Sequence, residues 1–292
     1  MTDKTQLQQR TKTARDGNRV SVFPYPGGKG RNSDWIIEKI PPHDTFVEVF
    51  GGSAAITFNK PVSKYEVYND VNDDLVQFFN VLRERTDELV EWVRRVPYSR
   101  ALYEDWVDQY YEGYRPDDPI ARAGRFFTLR YMQFAGSISG PNGFKTRAKR
   151  SPARTFDNAR ERLHELASRF RDVVIENKDY RDVLADYDHT DVDVVFYCDP
   201  PYMDAEHYYG REFDHEEFVE TLADVDSRWM VSYSEIPDAL REYHVLKRER
   251  RHRMLKEEND TTERLVCNFD PESVPRFVST EQSQQRLTEV FG

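Results

Sequence analysis

Short β-prone runs alternate with stretches of helical spacing along this chain, which confines it to an α/β architecture around a largely parallel sheet. Thr45-Phe46-Val47-Glu48-Val49-Phe50 is a mostly apolar run closed by Gly51-Gly52, the pattern of a buried strand and a tight turn. Lys64-Tyr65-Glu66-Val67-Tyr68 alternates and gives a second strand; residues 173–176, 192–198 and 229–233 give three more. Between the second and third strands the spacing is helical. Leu75, Phe78, Phe79 and Leu82 share a face, followed by Leu89, Trp92 and Val93, with further helices expected over about 120–135 and 156–170. Pro97 and Arg115-Pro116-Asp117-Asp118-Pro119 punctuate the stretch, and residues 135–143 form a Gly/Ser/Pro/Asn-rich loop. The expected organisation is a sheet domain from residues 21–74 and 172–280, with a mostly helical insertion over 75–171. A polar lead-in (1–20) and a tail (281–292) flank it. Ligands in such sheets bind at the carboxyl ends of strands.

With 292 residues, 38% hydrophobic and 13% aromatic, the chain can bury a substantial core. It has no apolar run of the roughly 18 residues that span a membrane, and its first residues lack a signal-peptide core. Cys198 and Cys267 are too few for a disulfide framework or a cysteine zinc site. A cytoplasmic protein without a metal centre is the expectation. The net charge of −11 argues against a nucleic-acid partner until its distribution is considered. Thirty-one Arg against 11 Lys, with 53 acidic residues, is a balance like that of proteins from salt-rich cytoplasm. Yet residues 122–154 hold eight basic residues and no acidic one, and residues 247–256 hold six basic residues against Glu249. Two basic islands on an acidic background suit local contact with phosphates; a solvated charged face is the alternative reading of either one.

Three short segments carry candidate chemistry. Phe50-Gly51-Gly52-Ser53-Ala54 follows a strand directly, and its small residues let a backbone approach a ligand closely. Asp70, at the end of the next strand, can accept hydrogen bonds from both hydroxyls of a ribose. The pair equally describes an ordinary strand–turn–helix joint and a surface acid. Phe23-Pro24-Tyr25-Pro26-Gly27-Gly28-Lys29 reads as a loop, or as one presenting Tyr25 as an apolar wall and Lys29 as a cation toward a carboxylate. The third segment, Tyr197-Cys198-Asp199-Pro200-Pro201-Tyr202, ends a buried strand. An exocyclic amine of adenine or cytosine is a poor nucleophile because its lone pair is delocalised into the ring. Two acceptors aimed at its N–H bonds favour the tetrahedral geometry that attack requires. Asp199 offers a carboxylate and Pro200 a carbonyl, Pro200 and Pro201 stiffen the turn, and Tyr202 can stack on a base flipped out of a duplex.

Taken in order, FPYPGGK, FVEVFGGSAAITF, YNDVNDDL and YCDPPY closely resemble the Dam-type (D12 class) DNA adenine N6-methyltransferases, over most of residues 21–270. The resemblance implies a Rossmann-like methyltransferase fold with an inserted target-recognition domain, S-adenosylmethionine as methyl donor and double-stranded DNA as substrate. It carries Tyr25, Lys29, Phe50, Gly51, Gly52, Ser53 and Asp70 to the cofactor pocket, with Asp179 and Tyr180 beside the cofactor's adenine. Asp199, Pro200, Pro201 and Tyr202 are carried to the catalytic position. Residues 250–266 resemble a C-terminal basic hairpin. The expected DNA contacts are Arg122, Arg125, Arg130, Gln133, Lys145, Arg147, Lys149 and Arg150, together with Arg250 and Arg251.

Departures are visible. Ala54 stands where the family's glycine loop usually ends in Gly, and a methyl there is tolerable only with a negative φ. Glu48-Val49-Phe50 replaces Glu-Pro-Phe, and residues 130–137 match the family's recognition stretch only loosely. Arg130 and Gln133 could read guanine and adenine edges in a major groove. The expected reaction is methylation of adenine N6, and it needs no metal. N4 methylation of cytosine and a non-catalytic DNA-binding protein on the same fold are the alternatives. Solitary action and pairing with a separately acting restriction endonuclease are both compatible with the resemblance.

Overall fold

The computed structural model describes residues 20–25, 27–134, 140–147, 151–202, 213–249 and 262–277. Seven strands form one sheet: β1 (Thr45–Glu48), β2 (Tyr65–Asn69), β3 (Val173–Glu176), β4 (Val194–Cys198), β5 (Arg228–Tyr233), β6 (His244–Glu249) and β7 (Thr262–Cys267). Their order is β3-β2-β1-β4-β5-β7-β6. The first five pair in parallel, and β7 lies antiparallel between β5 and β6. All four residues of β1 and all five of β4 are buried, as expected of central strands covered on both faces. In register, Val47 faces Phe196 and Glu48 faces Tyr197, so β1 and β4 end together. Because β2 and β4 flank β1 on opposite sides, this end is the point where strand order reverses and a crevice opens.

Helices α1 (Ser33–Ile37) and α2 (Ala55–Asn59) precede the long helical stretch. That stretch comprises α3 (Asp73–Glu84), α4 (Thr86–Arg94), α5 (Arg100–Tyr111), α6 (Pro119–Met132), α7 (Pro152–Glu161) and α8 (Leu163–Phe170). Two more helices, α9 (Tyr180–Tyr187) and α10 (His215–Ala223), follow β3 and β4. Their starts are set by side chains that satisfy free backbone N–H groups: Asn72 caps α3, Ser99 α5, Asp118 α6, Ser151 α7, Asp179 α9 and Asp214 α10. The helical spacing that begins at Leu75 is thus divided among three helices, broken at Arg85 and around Pro97. The helix expected from Phe156 begins earlier because Ser151 caps it and Pro152 opens it.

The helical stretch does not keep a core of its own. Phe78 and Phe79 of α3, Phe126 and Phe127 of α6, and Phe170 of α8 join Phe58 of α2 and Tyr68 of β2 in one buried cluster. Phe79 and Phe170 stack at 4.7 Å between ring centroids. A second cluster, with Val47, Phe196, Trp229 and Phe218, fills the opposite side under α9 and α10.

Candidate active site at the carboxyl end of the sheet

At the ends of β1 and β2 the chain turns through two glycines. A Cβ on Gly51 would fall 2.1 Å from the Tyr68 ring, and Gly52, at a φ of +51°, would carry a side chain only with backbone strain and against the Tyr25 ring at 3.1 Å. The Tyr68 hydroxyl donates to the Gly52 carbonyl at 2.8 Å, and the Gly51 N–H donates to the Asn69 carbonyl at 2.7 Å, so the loop is tied to β2 at two points. Asp70 completes the tie: its carboxylate accepts the Gly52 N–H and the Asn72 N–H, each at 2.8 Å. Burial pushes its carboxyl up to about 6, against the pull of those two N–H groups. Two engaged oxygens still leave outward lone pairs, and Asp70 lines the cavity described below.

Ala54 overturns an expectation. Its φ is +54°, left-handed, where a negative angle was required for a methyl to be tolerated. The turn fixes the angle regardless of residue type, because the Ala54 N–H closes it onto the Gly51 carbonyl at 2.7 Å while α2 begins immediately after. Strain of this kind costs about 1–3 kcal/mol and must be carried by surrounding structure. Here the Glu48 carboxylate helps: it receives the Ile56 N–H at 3.3 Å and the Thr57 N–H at 3.1 Å, closing the first turn of α2. Burial pushes the Glu48 carboxyl up to about 7, although the Thr57 and Ile56 bonds pull it down.

A cavity of about 880 Å³ opens over this loop, within the range of about 300–1,000 Å³ typical of small-molecule sites. Tyr25, Lys29, Phe50, Gly51, Gly52, Ser53, Asp70, Asp179, Tyr180, Asp199 and Pro201 all line it, so most of the residues expected at the cofactor and the reaction meet in one space. Phe50, Tyr180 and Phe213 form an aromatic wall with centroid separations of 5.6–5.7 Å. Asp179 caps α9 and pairs with Arg181 at 2.7 Å; hydrogen bonds from Arg181 hold its carboxyl below the usual carboxylate range.

On the β4 side, Asp199 follows the last residue of the strand and Pro200 is buried behind it. Lys29 is buried and its Nζ lies 2.8 Å from Asp199 Oδ1 and 3.2 Å from Glu263 Oε1, with the Tyr202 hydroxyl also in hydrogen-bond contact. The same ammonium stands 4.4 Å from the Tyr202 ring centroid. Tyr202 donates to Glu263 Oε1 at 2.7 Å, and Asn32 Nδ2 donates to Glu263 Oε2 at 2.8 Å. Burial raises the Asp199 carboxyl to about 6; Lys29 opposes that shift and the nearby Glu263 carboxylate reinforces it. The carboxylate expected opposite Lys29 is therefore supplied by the protein itself, twice over. Glu263 and Asn32 were not read as site residues from the sequence. An acid beginning a β-prone run beside a basic island was the one available signal, and it does not reveal which strand or loop the acid will face.

The expected DNA contacts divide. Arg130 and Gln133 are fully buried, with Arg130 Nη2 donating to Gln133 Oε1 at 3.3 Å and Gln133 Nε2 donating to the Gly140 carbonyl at 3.0 Å. They lie beside the β-bridge that Gln133 forms with Phe144 and do not present themselves to a groove. Burial inside the shared aromatic core is the physical reason for this correction. Arg122 is held by Asp73 and Asp74, and Arg125 by Gln109 at 2.7 Å with its guanidinium 4.8 Å from the Trp106 ring centroid. Neither is free for phosphate without giving up those partners. Arg147 is exposed and Lys145 half-buried, its ammonium pKa lowered by burial and by Arg147. Lys149, Arg150, Arg250 and Arg251 lie outside the described residues; the hairpin arms β6 and β7 on either side of the last two are present as expected. Among the described residues no group of three or more His, Cys, Asp or Glu side chains is arranged to hold a metal, and no helix is long and apolar enough to cross a membrane.

Residues 25–255 match the model of the family described as D12 class N6 adenine-specific DNA methyltransferase. The chain is 29% identical over 187 residues to the DNA adenine methylase of Escherichia coli K12, an alignment covering 62% of this chain and 64% of that protein. It is 26% identical over 200 residues to the DNA adenine methylase of Haemophilus influenzae, covering 65% and 68%. The DNA N-6-adenine-methyltransferase of Escherichia phage P1 aligns over 268 residues at 25% identity, covering 81% of this chain and 32% of that protein. The chain thus spans under two thirds of the length of the E. coli relative.

Proposed function

The chain belongs to the D12 class N6 adenine-specific DNA methyltransferase family, and we propose that it transfers a methyl group from S-adenosylmethionine to N6 of an adenine flipped out of duplex DNA. The observation that carries this reading is the meeting of the Gly51–Gly52 turn, Asp70 and Asp199 in one cavity at the carboxyl ends of β1, β2 and β4. The donor set suits the cofactor. Asp70 keeps lone pairs for ribose hydroxyls, Phe50, Tyr180 and Phe213 offer ring faces to an adenine, and the side-chain-free turn admits a chain alongside the backbone. Bound S-adenosylmethionine supplies a methyl group already activated on a cationic sulfonium, so neither a metal nor a covalent enzyme intermediate is required.

The chain's own task is to make the amine nucleophilic. In this reading ionised Asp199 accepts one N–H of the target amine and the Pro200 carbonyl accepts the other, which turns the nitrogen lone pair out of conjugation and disperses the charge it gains. Pro200 and Pro201 bring no competing N–H to the turn. Tyr202 stacks on the extruded base, with its ring oriented by hydrogen bonding of its hydroxyl to Glu263. Recognition falls to α3–α8 and the loop that follows α6. Lys145, Arg147, Lys149 and Arg150 contact phosphates there, and Arg250 and Arg251 contact them from the hairpin between β6 and β7. Arg122 and Arg125 join only if DNA displaces Asp73, Asp74 and Gln109 from them.

Methyl transfer from labelled S-adenosylmethionine to unmethylated duplex DNA, at low and high salt, followed by nucleoside identification, tests the proposal. N6-methyladenine in one sequence context is the expected product. N4-methylcytosine would transfer the same site to the other amine, and cofactor binding without any DNA product would remove DNA as the acceptor.

A further inference from the structure

Lys29 is shared. Its ammonium lies 2.8 Å from one carboxylate, Asp199, and 3.2 Å from another, Glu263, which is only 13% exposed and arrives from a different part of the chain. Among the described residues no other cation is ion-paired to either acid. Two carboxylates against one ammonium leave a surplus of one negative charge on the cluster. Without Glu263 the Lys29–Asp199 pair would be neutral, and the full attraction of the ammonium would fall on the oxygen that has to accept from the target amine.

Glu263 is also held as a fixed part. Oε1 takes the Tyr202 hydroxyl at 2.7 Å and Oε2 takes Asn32 Nδ2 at 2.8 Å, so the carboxylate is clamped between the turn after β4 and the loop leading into α1. Its register on β7 is fixed through Arg264, opposite Tyr233 of β5, and Glu263 itself lies opposite Arg248 of β6. An acid placed only to join the hairpin to the sheet would have no need to reach Lys29 as well.

Resting on the methyltransferase reading above, we infer that Glu263 is a positioning residue of the reaction. It draws the Lys29 ammonium off Asp199 when the target amine arrives, so that the negative charge of Asp199, the acid that lines the cavity, is left to the nitrogen as it becomes positive. In the resting site Lys29 bridges the two acids. With an amine present, Asp199 exchanges its bond to Lys29 for the amine N–H, and Glu263 with the Tyr202 hydroxyl retains the ammonium. The step moves hydrogen bonds only; the proton finally released from the methylated nitrogen leaves to solvent.

The test compares wild type with E263Q and E263D, using S-adenosylmethionine binding, steady-state methylation of duplex DNA and thermal melting. E263Q keeps an acceptor for Tyr202 but loses the charge. It is expected to lower kcat by about 10–100-fold, less than the roughly 10²–10³-fold of a group that touches the reacting atoms, because Glu263 acts through Lys29 and Asp199, with cofactor Kd within about threefold and melting close to wild type. E263D keeps the charge one methylene further away and is expected to recover part of the loss. The inference is overturned if E263Q matches the wild-type kcat, if cofactor affinity or melting falls in parallel with kcat, or if E263D is no better than E263Q. A wild-type protein that methylates no adenine fails the underlying reading, whereas an active wild type equalled by E263Q fails this inference alone.

Discussion

Lys29 Nζ stands 2.8 Å from Asp199 Oδ1, a buried contact between a loop near the start of the chain and the turn after β4. A carboxyl group in that position is an acceptor on both oxygens, and carries the charge that strengthens those bonds, only while it is ionised, and the Lys29 ammonium beside it stabilises that charge.

Asp199→Asn keeps the shape and removes the charge. The expected result is a fall in kcat of at least about 10³-fold, the upper end for a lost transition-state contact. S-adenosylmethionine affinity is expected to change by less than about threefold, because the ribose and ring contacts lie elsewhere in the cavity. Single-turnover methylation with parallel cofactor titration measures both, and retention of turnover would remove Asp199 from the mechanism.

Asp199 and Asp70 both have carboxyls raised to about 6 by burial. Below that pH each is protonated, so both the amine acceptor and the ribose acceptor weaken in the same window. The kcat/KM profile of the free enzyme is expected to fall as pH drops through about 6, more steeply than for a single proton. An acid limb near pH 4, the ordinary carboxylate range, would contradict it.

Asp74 behaves in the opposite sense. Burial alone would raise its carboxyl, but hydrogen bonds from Arg115 and Arg122 outweigh burial and hold it below the ordinary value. A depressed pKa contributes stability above the unfolded value of about 3.9 and loses it as pH falls toward the folded one. Asp74→Ala leaves two guanidiniums and the Tyr110 hydroxyl without that acceptor, and is expected to cost about 3 kcal/mol at neutral pH. Urea denaturation at pH 7 and at about pH 3 checks the sign: the gap between wild type and variant narrows in acid.

Gly51→Ala places a methyl 2.1 Å from the Tyr68 ring, which is fully buried and cannot retreat. Overpacking of this kind costs about 1–3 kcal/mol. Because Tyr68 also holds the Gly52 carbonyl, cofactor affinity is expected to fall together with the melting temperature. An unchanged melting temperature would show that the turn has room the geometry denies.

The sequence alone determined the α/β class, the positions of five strands and the three segments that gather at the cavity, because these depend on local periodicity and on residues such as Gly51, Gly52 and Pro200 whose backbone preferences act within a few positions. It also placed Asp70 and Asp199 at strand ends. What it could not determine depends on partners distant in sequence. Arg130 and Gln133 look identical in sequence whether they face DNA or each other, and only packing against the aromatic core buried them. The left-handed φ of Ala54 is imposed by a turn closed onto Gly51, against the preference of the residue itself. Glu263 reaches Lys29 only because β7 inserts antiparallel between β5 and β6, a pairing no local pattern encodes. Short-range stereochemistry set the elements; long-range strand pairing and burial decided which charges meet.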